Sequence, residues 1–424
     1  MIHISRLRNE PELIVERLKK RGIDASGTVQ EILDLDKEVR KLKQESESLK
    51  AESNKAAKEI GDMFRNGRGA EAEALKKRTS EIKEQLKTMD ADLADLADKL
   101  DAAIVSLPNT PSESVPAGVS EDDNEVVSTW GEKPNLGGDV KPHWELTEQY
   151  DLIDFELGVK ITGAGFPVYK GQGARLQRAL INFFLDKARD HGYMEVQPPI
   201  LVNEDSGFGT GQLPDKEGQM YHVTGDNLYV IPTAEVPITN IYRNVILSAD
   251  QLPVKNAGYT PCFRREAGSY GKDVRGLNRL HQFDKVEIVQ IVHPSNSYDV
   301  LEQMQTYVQS LLQDLGLHYR VLKLCGGDLG FTSALTYDME VYSAAQERWL
   351  EVSSISNFEN FQANRLKLRY RTEDGSTELA HTLNGSALAL PRIVAALLEN
   401  NQTDDGIVMP EVLRPYLGFD KITI

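Results

Sequence analysis

Two apolar runs with heptad spacing, separated by a stretch rich in glycine, constrain the fold of this chain more than any other feature. The first run extends from Ile32 to Met63 and the second from Ala72 to Leu107, with occasional polar residues on each seam. This spacing is typical of helices that pack along one face, and residues 61–69 between the runs contain helix-breaking glycines. We therefore expect two long helices that fold back as an antiparallel hairpin.

Charge is unevenly distributed along this predicted hairpin. At about 1.5 Å per residue, a helix of about thirty residues spans about 45 Å, so we expect the hairpin to project into solvent. Its base is rich in aspartate, whereas basic residues outnumber acidic ones near its tip, where they are Lys50, Lys55, Lys58, Arg65, Arg68, Lys76, Lys77 and Arg78. A nucleic-acid-binding arm would show this polarity, but a dimerising coiled coil with solvated faces explains it equally well.

The composition limits the class of protein. The chain has 424 residues and a formal net charge of -17, which disfavours general binding to nucleic acid, although a local basic patch is enough for a specific contact. No apolar stretch approaches about 18 residues, and Met1–Arg8 lacks the apolar core of a signal peptide, so we expect a cytoplasmic protein. Cys262 and Cys325 lie far apart without a metal-binding motif, so neither a disulfide framework nor zinc is expected.

A change of composition follows the predicted hairpin. Residues 108–134 are rich in proline, serine and acidic residues, and we interpret them as an extended linker. The pattern from residue 135 onward mixes strand-like runs with helices predicted at Gly173–His191 and Leu390–Asn400. Since no glycine-rich phosphate loop lies between a strand and a helix, an antiparallel sheet with flanking helices, an α+β fold, is the better prediction.

The segment from Phe263 to Glu287 places charges of both signs between two apolar, strand-like runs. We interpret it as a loop joining two antiparallel strands. Its cations would repel one another unless an anion lies among them, and a polyphosphate fits that role. A solvated charged hairpin is the alternative. The cations are Arg264, Arg265, Lys272, Arg275 and Arg279.

Two further segments place oxygen ligands in apolar surroundings. Thr233 and Glu235 lie between prolines that restrict the backbone, which suits a small ligand with an ammonium and a hydroxyl. The strand-like alternation of residues 349–354 puts Glu351 and Ser353 on one face with Ser354 after them, a plausible shelf for magnesium. The solvent face of a strand explains this second pattern as well.

The segment His381–Arg392 is predicted to be a polar turn that enters a helix. Pro391 is tolerated near a helix start, so Arg392 would lie close to the helix N-terminus. Together with Arg264 it would clamp separate phosphates, although a single arginine in a helix is more often a surface residue.

Taken together, these segments resemble the bacterial-type seryl-tRNA synthetases, which are class II aminoacyl-tRNA synthetases. The three class II motifs are similar to residues 192–199, residues 263–287 and the segment ending at Arg392. Phrases typical of the family lie between them, at residues 209–214, 233–235, 351–354 and 381–386. The resemblance covers essentially the whole chain, and it implies a tRNA-binding domain with a coiled-coil arm at 1–107, a linker at 108–134 and a catalytic domain at 135–424.

The resemblance also implies roles for individual residues. Arg264, Arg392 and Glu351 would be catalytic, and Glu351 with Ser354 would hold Mg²⁺. The ATP-binding set would be Arg264, Arg265, Glu266, Leu280, Phe283, Glu351, Val352, Ser353, Ser354 and Arg392. The serine-binding set would be Thr233, Ala234, Glu235, Arg264, Glu287, Asn384 and Ser386.

The implied reaction is activation of L-serine by ATP to seryl-adenylate and pyrophosphate, followed by transfer to the 3′ end of tRNA(Ser). Whether tRNA(Sec) is charged as well stays open. The resemblance further implies a homodimer whose arm reaches a tRNA bound across the subunits, with Lys272, Arg275 and Arg279 near the acceptor end. Only some thirty residues follow Arg392, so we expect recognition through the arm and not through a C-terminal anticodon-binding domain.

The third motif departs from the commonest family pattern at Ala387 and Pro391, for which we expect altered backbone freedom without loss of activity. Arg265 stands where many relatives have serine, and its role is not assigned. Two competing interpretations are a paralogue that loads an amino acid onto a carrier protein and a non-catalytic coiled-coil scaffold. The arm disfavours the first, and the set of Arg264, Glu287, Glu351 and Arg392 disfavours the second.

Overall fold

The structure is a computed structural model that describes residues 1–137, 140–267 and 275–423. The chain divides into two compact units. The first contains residues 1–19 and 23–108, and the second contains residues 20–22 and the described residues from Asn109 onward. Within the described ranges, no helix is both long enough and apolar enough to cross a membrane.

The helices and strands follow one another in a mixed order. The helices are α1 (Ile4–Asn9), α2 (Pro11–Lys19), α3 (Ser26–Arg65), α4 (Gly69–Ser106), α5 (His143–Gln149), α6 (Phe155–Ile161), α7 (Gly171–Asp190), α8 (Glu204–Thr210), α9 (Glu235–Asn240), α10 (Ser297–Asp314), α11 (Phe361–Leu366), α12 (Leu390–Asn400) and α13 (Arg414–Leu417). The strands are β1 (Glu125–Trp130), β2 (Ile153–Asp154), β3 (Val168–Tyr169), β4 (Met194–Glu195), β5 (Leu201–Val202), β6 (Tyr221–Val223), β7 (Leu228–Val230), β8 (Ile246–Leu247), β9 (Val254–Phe263), β10 (Gln282–Val292), β11 (Tyr319–Lys323), β12 (Leu335–Ser343), β13 (Arg348–Asn357), β14 (Arg369–Arg371), β15 (Thr377–Leu379), β16 (His381–Ala389), β17 (Gln402–Thr403), β18 (Gly406–Val408) and β19 (Lys421–Ile422).

The predicted helical hairpin is present in the first unit. Helices α3 and α4 have 40 and 38 residues, so each spans about 60 Å. Apolar seam residues such as Ile32 and Ile82 are fully buried between them. The break is shorter than expected, because α3 continues through Gly61 to Arg65. One glycine costs a helix only about 1 kcal/mol, which packing against the partner helix can offset.

The second unit is built on a large, mainly antiparallel sheet. Within the described residues it has eight strands, in the order β1-β11-β12-β13-β16-β10-β9-β4, and β4 pairs with β9 in parallel. The predicted strands on either side of the charged loop are β9 and β10, which pair in antiparallel register as expected. With the helical hairpin, this arrangement confirms the α+β fold class.

Alternation along β10 gives the sheet two different faces. Val286 and Ile288 belong to the main hydrophobic core, which also contains residues of α7, α10 and α12. Val289 packs on the opposite face against Ala234 and Ile238, next to and within α9. Because side chains two residues apart share a face, Glu287 points to the same side as Val289. The candidate site lies on that side.

Residues 108–134, predicted to be an extended linker, contain buried residues such as Thr110 and the edge strand β1, which pairs with β11. Another segment differs from its prediction. The predicted polar turn at His381–Arg392 is strand β16, paired with both β10 and β13. Its polar residues face the site, which is why its sequence resembles a turn.

Candidate active site

A buried carboxylate, Glu287, is the centre of the site. Its side chain is 1 % exposed. One oxygen accepts hydrogen bonds from the Thr233 hydroxyl at 3.1 Å and lies 2.6 Å from the ammonium of Lys285, and the other accepts from the Asn384 amide at 3.1 Å. Ser386 lies directly opposite Glu287 on β16. Three of the predicted serine ligands, Thr233, Glu287 and Asn384, are therefore in direct contact.

Lys285 is a residue of this cluster that the sequence analysis missed. It is almost fully buried, and its ammonium also donates to the Thr233 hydroxyl at 3.0 Å. The available signal was the alternation of Lys285 and Glu287 with Val286 and Ile288, which places both charges on one face of an otherwise apolar strand. A buried lysine requires a partner of opposite charge, and Glu287 is the one two residues away.

Glu235 adds a second carboxylate beside the cluster. It begins α9 and accepts a hydrogen bond at 2.6 Å from Gln362, another residue that the sequence analysis did not identify. The Glu235 backbone N–H donates to the Thr233 hydroxyl at 3.2 Å. Burial first, and then the negative charge of Glu287, raises the pKa of Glu235 to about 7. The proline-flanked turn thus holds a hydroxyl and a carboxylate at fixed positions, as predicted.

Arg264 and Phe283 form the next part of the site, at the adjoining ends of β9 and β10. The guanidinium of Arg264 lies 5.2 Å from the centre of the Phe283 ring. Arg264 is exposed, and its backbone N–H donates to the carbonyl of His281 at 2.9 Å. A cation over an aromatic face leaves the outer edge of the guanidinium open to an anion.

The other cations of the charged segment have different surroundings. Arg279 donates to the Glu266 carboxylate at 2.9 Å, and the guanidinium of Arg275 lies 4.8 Å from the centre of the Trp144 ring. Arg265 is exposed, and its backbone N–H donates to the carbonyl of Gln219. Lys272, part of the predicted anion site, lies outside the described residues. The expected cluster of cations is therefore divided, and among these four Arg264 is the one that lies over the Phe283 ring.

Arg392 is held by backbone oxygens from two different segments. It is the third residue of α12, as the position of Pro391 predicts. Its guanidinium donates to the carbonyl of Glu351 at 2.8 Å and to that of Asn278 at 3.2 Å, and it lies 3.8 Å from the Glu351 carboxylate. These contacts fix an arginine between β13 and the end of the charged segment.

The predicted pairing of Glu351 with Ser353 on one face of β13 is wrong. A β-bulge lies in β13, because Met339 pairs with Ser353 whereas Glu340 pairs with Glu351. The extra residue places Glu351 and Ser354 on the same face and turns the Ser353 hydroxyl to the carbonyl of Ser386, at 2.6 Å.

Asp338 lies opposite Ser354 on β12 and is hydrogen-bonded to it. Burial first, and then the charge of Glu351, raises the pKa of Asp338. Its second carboxylate oxygen is shielded from solvent and has no hydrogen-bond partner among the described residues. In the ranges that the structure describes, no group of three or more His, Cys, Asp or Glu residues is arranged to hold a metal ion.

Several other residues predicted at the site have buried side chains. Ala234, Val352 and Leu280 have buried side chains, and Val352 and Leu280 belong to the main core. Ser386 is also buried. Any contact of Ala234, Val352 or Leu280 with a polar ligand would therefore use main-chain atoms.

The whole chain is similar to known proteins. Residues 1–111 match the family model described as the seryl-tRNA synthetase N-terminal domain, and residues 221–401 match the tRNA synthetase class II core domain (G, H, P, S and T). The serine–tRNA ligase of Salinibacter ruber is 51% identical over 100% of this chain and 99% of its own length. That of Geobacter sulfurreducens is 47% identical over 99% of each chain. The crystal structure of seryl-tRNA synthetase from Pyrococcus horikoshii complexed with ATP superposes with a TM-score of 0.93 at 35% identity, covering 100% of this chain and 99% of that one.

Proposed function

Because the chain belongs to the seryl-tRNA synthetase family of class II aminoacyl-tRNA synthetases, we propose that the Glu287 cluster and the arginines beside it are where serine reacts with ATP. The reaction of this family, ATP-dependent ligation of serine to tRNA, is the reaction of this chain. The observation that carries the residue assignment is the buried carboxylate of Glu287, bonded to a hydroxyl, an amide and an ammonium. These are groups that can exchange partners with a small polar amino acid.

The serine subsite consists of polar groups from three segments. Glu235 and Glu287 face the α-ammonium and the side-chain hydroxyl of serine, and Thr233, Asn384 and Ser386 complete the hydrogen bonds. Arg264 orients the carboxylate, and Ala234 contributes backbone atoms. A buried acceptor that alanine or glycine leaves unpaired is costly, so the subsite selects for a hydroxyl. Lys285 supplies the positive charge that the buried Glu287 carboxylate requires as a partner in the absence of serine.

The ATP subsite extends from Phe283 to Arg392. Phe283 stacks on adenine, and Glu266 with the backbone of Leu280 contacts the edge of the base. Arg264 binds the α-phosphate and Arg392 the γ-phosphate, while Arg265, Val352 and Ser353 line the same subsite. The ATP bound to the solved relative from Pyrococcus horikoshii supports a nucleotide in a fold of this kind.

The residues of β13 and β12 fit a magnesium ion. Glu351 and Ser354 share a face, and the free carboxylate oxygen of Asp338 adds to a set of hard oxygen donors on that face. Glu351 and Ser354 would hold the ion. When bound, it would neutralise phosphate charge and aid the departure of pyrophosphate.

Catalysis by these residues depends on position and charge. Arg264 holds the serine carboxylate and the α-phosphate together, so that a carboxylate oxygen attacks phosphorus and pyrophosphate leaves. Arg392 stabilises the negative charge that builds up on the leaving group, and Glu351 fixes Arg392 through its carbonyl. The adenylate then transfers its seryl group to the 3′ end of tRNA.

The first unit supplies the contact with tRNA in this proposal. We assign a tRNA-binding domain to residues 1–107, with α3 and α4 as an arm that reads the shape of tRNA(Ser) through phosphate and sugar contacts. The catalytic domain is assigned to residues 135–424, together with the strand β1 before it. Charging of tRNA(Sec) stays a prediction, and aminoacylation of purified tRNA(Sec) by the protein would test it.

A homodimer in the cytoplasm completes the proposal. An apolar surface of the second unit supports it, because Met194, Leu201 and Ile241 are exposed there. Leu201 and Ile241 line a cavity of ≈ 480 Å³ together with Pro198 and Pro199. A second copy of the chain would cover this surface, and sedimentation of the purified protein measures whether it does.

Serine-dependent exchange of pyrophosphate into ATP tests the proposed site. The purified protein should catalyse exchange with L-serine and not with L-alanine, glycine or L-threonine. Exchange with another amino acid and none with serine would overturn the assignment.

A further inference from the structure

His143 is a fully buried histidine with both ring nitrogens engaged, at the start of α5. Its Nδ1 lies 2.7 Å from a carboxylate oxygen of Glu399, and its Nε2 lies 2.8 Å from the backbone nitrogen of Leu277. Since the Leu277 N–H can only donate, Nε2 accepts, and Nδ1 carries the hydrogen that is donated to Glu399. One tautomer of the ring therefore links α5, α12 and the end of the charged segment.

Glu399 is buried as completely as His143 and is fully bonded. Its carboxylate accepts from the backbone N–H of His143 at 2.9 Å, from Gln346 at 2.9 Å and from the hydroxyl of Ser343. Burial alone would raise the pKa of Glu399, but the hydrogen bonds lower it below its usual value. Glu399 is thus a charged anchor that orients the imidazole.

The network continues to the residue after Leu277. Gln346 also accepts a hydrogen bond from the Asn278 side chain at 2.9 Å, and the Asn278 carbonyl is the one that accepts from Arg392. Arg392 and Glu399 lie seven residues apart on α12, or about 10 Å along the helix. Helix α12 therefore holds this segment at two places. Arg392 near its start bonds to Asn278, and Glu399 near its end acts on Leu277 through His143.

Gly276 shows how closely the chain passes this ring. Its φ is +65°, and a Cβ at this position would lie 2.2 Å from Nε2 of His143. Only glycine satisfies both the left-handed backbone and the close approach. The backbone at residues 276 and 277 is thus fitted to the imidazole.

We propose that His143 and Glu399 are positioning residues for the nucleotide: they fix the backbone of residues 277–280, and through it the adenine contact at Leu280 and the seat of Arg392. This inference rests on the proposed function, because it assumes that Leu280 and Arg392 contact ATP. Neither His143 nor Glu399 contacts substrate in this scheme. Their effect is specific to ATP, since no residue assigned to the serine subsite takes part in the network.

Substitutions of His143 that each keep one of its two hydrogen bonds test the proposal. In His143→Asn the amide replaces Nδ1 and the acceptor for Leu277 is lost, whereas in His143→Gln the side-chain oxygen can still accept from Leu277. We expect pyrophosphate exchange by the full-length protein to show a KM for ATP about tenfold higher in His143→Asn and about threefold higher in His143→Gln. The KM for serine should stay within about twofold of the wild-type value.

Gly276→Ala should displace the backbone of residues 277–280 as well, because the added methyl group would collide with the His143 ring. It does so without removing a buried polar group. It should raise the KM for ATP in the same direction, and it serves as the decisive variant if His143→Asn does not fold. Tyr319→Phe is the matched control, because it removes a buried hydroxyl whose partners, Gln309 and Gln313, do not belong to the His143 network. It should lower the melting temperature without changing the KM for ATP.

Two results would overturn the proposal. One is a variant of His143 or Gly276 with a lowered melting temperature and an unchanged KM for ATP, as in Tyr319→Phe. The other is an equal rise in the KM values for ATP and serine, which indicates general loss of structure. A wild-type protein without serine-dependent exchange would instead contradict the proposed function, so the two failures are distinguishable.

Discussion

The ammonium of Lys285 lies 2.6 Å from the carboxylate of Glu287 inside the candidate serine subsite. In the proposed site a substrate ammonium would bind beside this pair, so the two cations would share the negative charge of Glu287 and Glu235. We therefore expect the lysine to influence the affinity for serine.

Replacing this lysine should weaken the binding of serine. In Lys285→Met, the buried Glu287 loses its cationic partner and Thr233 loses a hydrogen-bond donor, so the arrangement of the serine subsite is disturbed. We expect the KM for serine in pyrophosphate exchange to rise at least about tenfold, with little change in the KM for ATP. Lys323→Met, on β11 of the same sheet, is the control and should behave as the wild type. An unchanged KM for serine in Lys285→Met would contradict this role.

Arg264 should be indispensable for activation. Arg264→Ala removes the group assigned to both the serine carboxylate and the α-phosphate, and we expect exchange to fall by about a thousandfold or more. Because the side chain is exposed, the melting temperature should stay close to that of the wild type. Arg189→Ala, an exposed arginine on α7, is the matched control. Substantial exchange by Arg264→Ala would show that another residue binds the phosphate.

The pKa of about 7 at Glu235 predicts that serine binding depends on pH. Below that pH the carboxyl is protonated and loses its attraction for an ammonium, so the KM for serine should rise by up to about tenfold per pH unit as the pH falls from 7. Glu235→Gln should have a higher KM at pH 8 and a weaker dependence on pH. A wild-type KM that stays constant between pH 6 and 8 would argue against ionised Glu235 as the ligand.

The same group affects stability in the opposite sense. The folded protein binds this proton more tightly than the unfolded chain, whose carboxyl has a pKa of 4.5. The contribution of Glu235 to the free energy of unfolding is therefore largest below pH 4.5 and is lost as the pH rises to about 7. Comparing denaturant unfolding of the wild type and Glu235→Gln across this range isolates the contribution.

The bulge in β13 makes adjacent serines unequal. Ser354→Ala removes a hydroxyl from the face that carries Glu351, and the Mg²⁺ concentration for half-maximal exchange should rise about tenfold. Ser353→Ala removes the hydrogen bond to the Ser386 carbonyl instead, so it should leave the Mg²⁺ requirement unchanged. The reverse order of effects would place the ion on the other face of the strand.

Removing the arm should separate the two half-reactions. Replacing residues 31–105 by a short glycine-rich connection leaves the second unit intact, so exchange should persist while charging of tRNA(Ser) is lost. Mixed dimers of this deletion with Arg264→Ala test binding across subunits, because the intact arm of one chain could serve the intact site of the other. Normal charging by the deletion variant would show that the arm is not needed for charging. Mixed dimers that recover no charging would argue against binding across subunits.

Periodicity was sufficient to predict the parts of the fold that depend on burial along one face. The heptads predicted α3 and α4, and the apolar runs beside the charged segment predicted β9 and β10. The end of α3 was predicted too early, because a single glycine does not outweigh helix packing.

Within the site, errors arose where position depends on neighbours in space. The extra residue in β13 places Ser354, and not Ser353, on the face of the strand that carries Glu351. Nothing in the local sequence marks this bulge. Gln362 was missed because its partner Glu235 lies on another segment. Lys285 was missed although its alternation with Val286 placed it on the same face of β10 as its partner Glu287. The pairing of Arg279 with Glu266, thirteen residues away across the charged segment, was not predicted either.

The two hydrogen bonds of the Arg392 guanidinium end on main-chain oxygens, those of Glu351 and Asn278. A carbonyl is present whatever side chain accompanies it, so these two hydrogen bonds do not require particular side chains at the residues that accept them. Mutational drift at position 278 would leave the seat intact while the path of the backbone persists. Changes that shift the path, such as an insertion between residues 277 and 280, would abolish it without altering any residue assigned to the site.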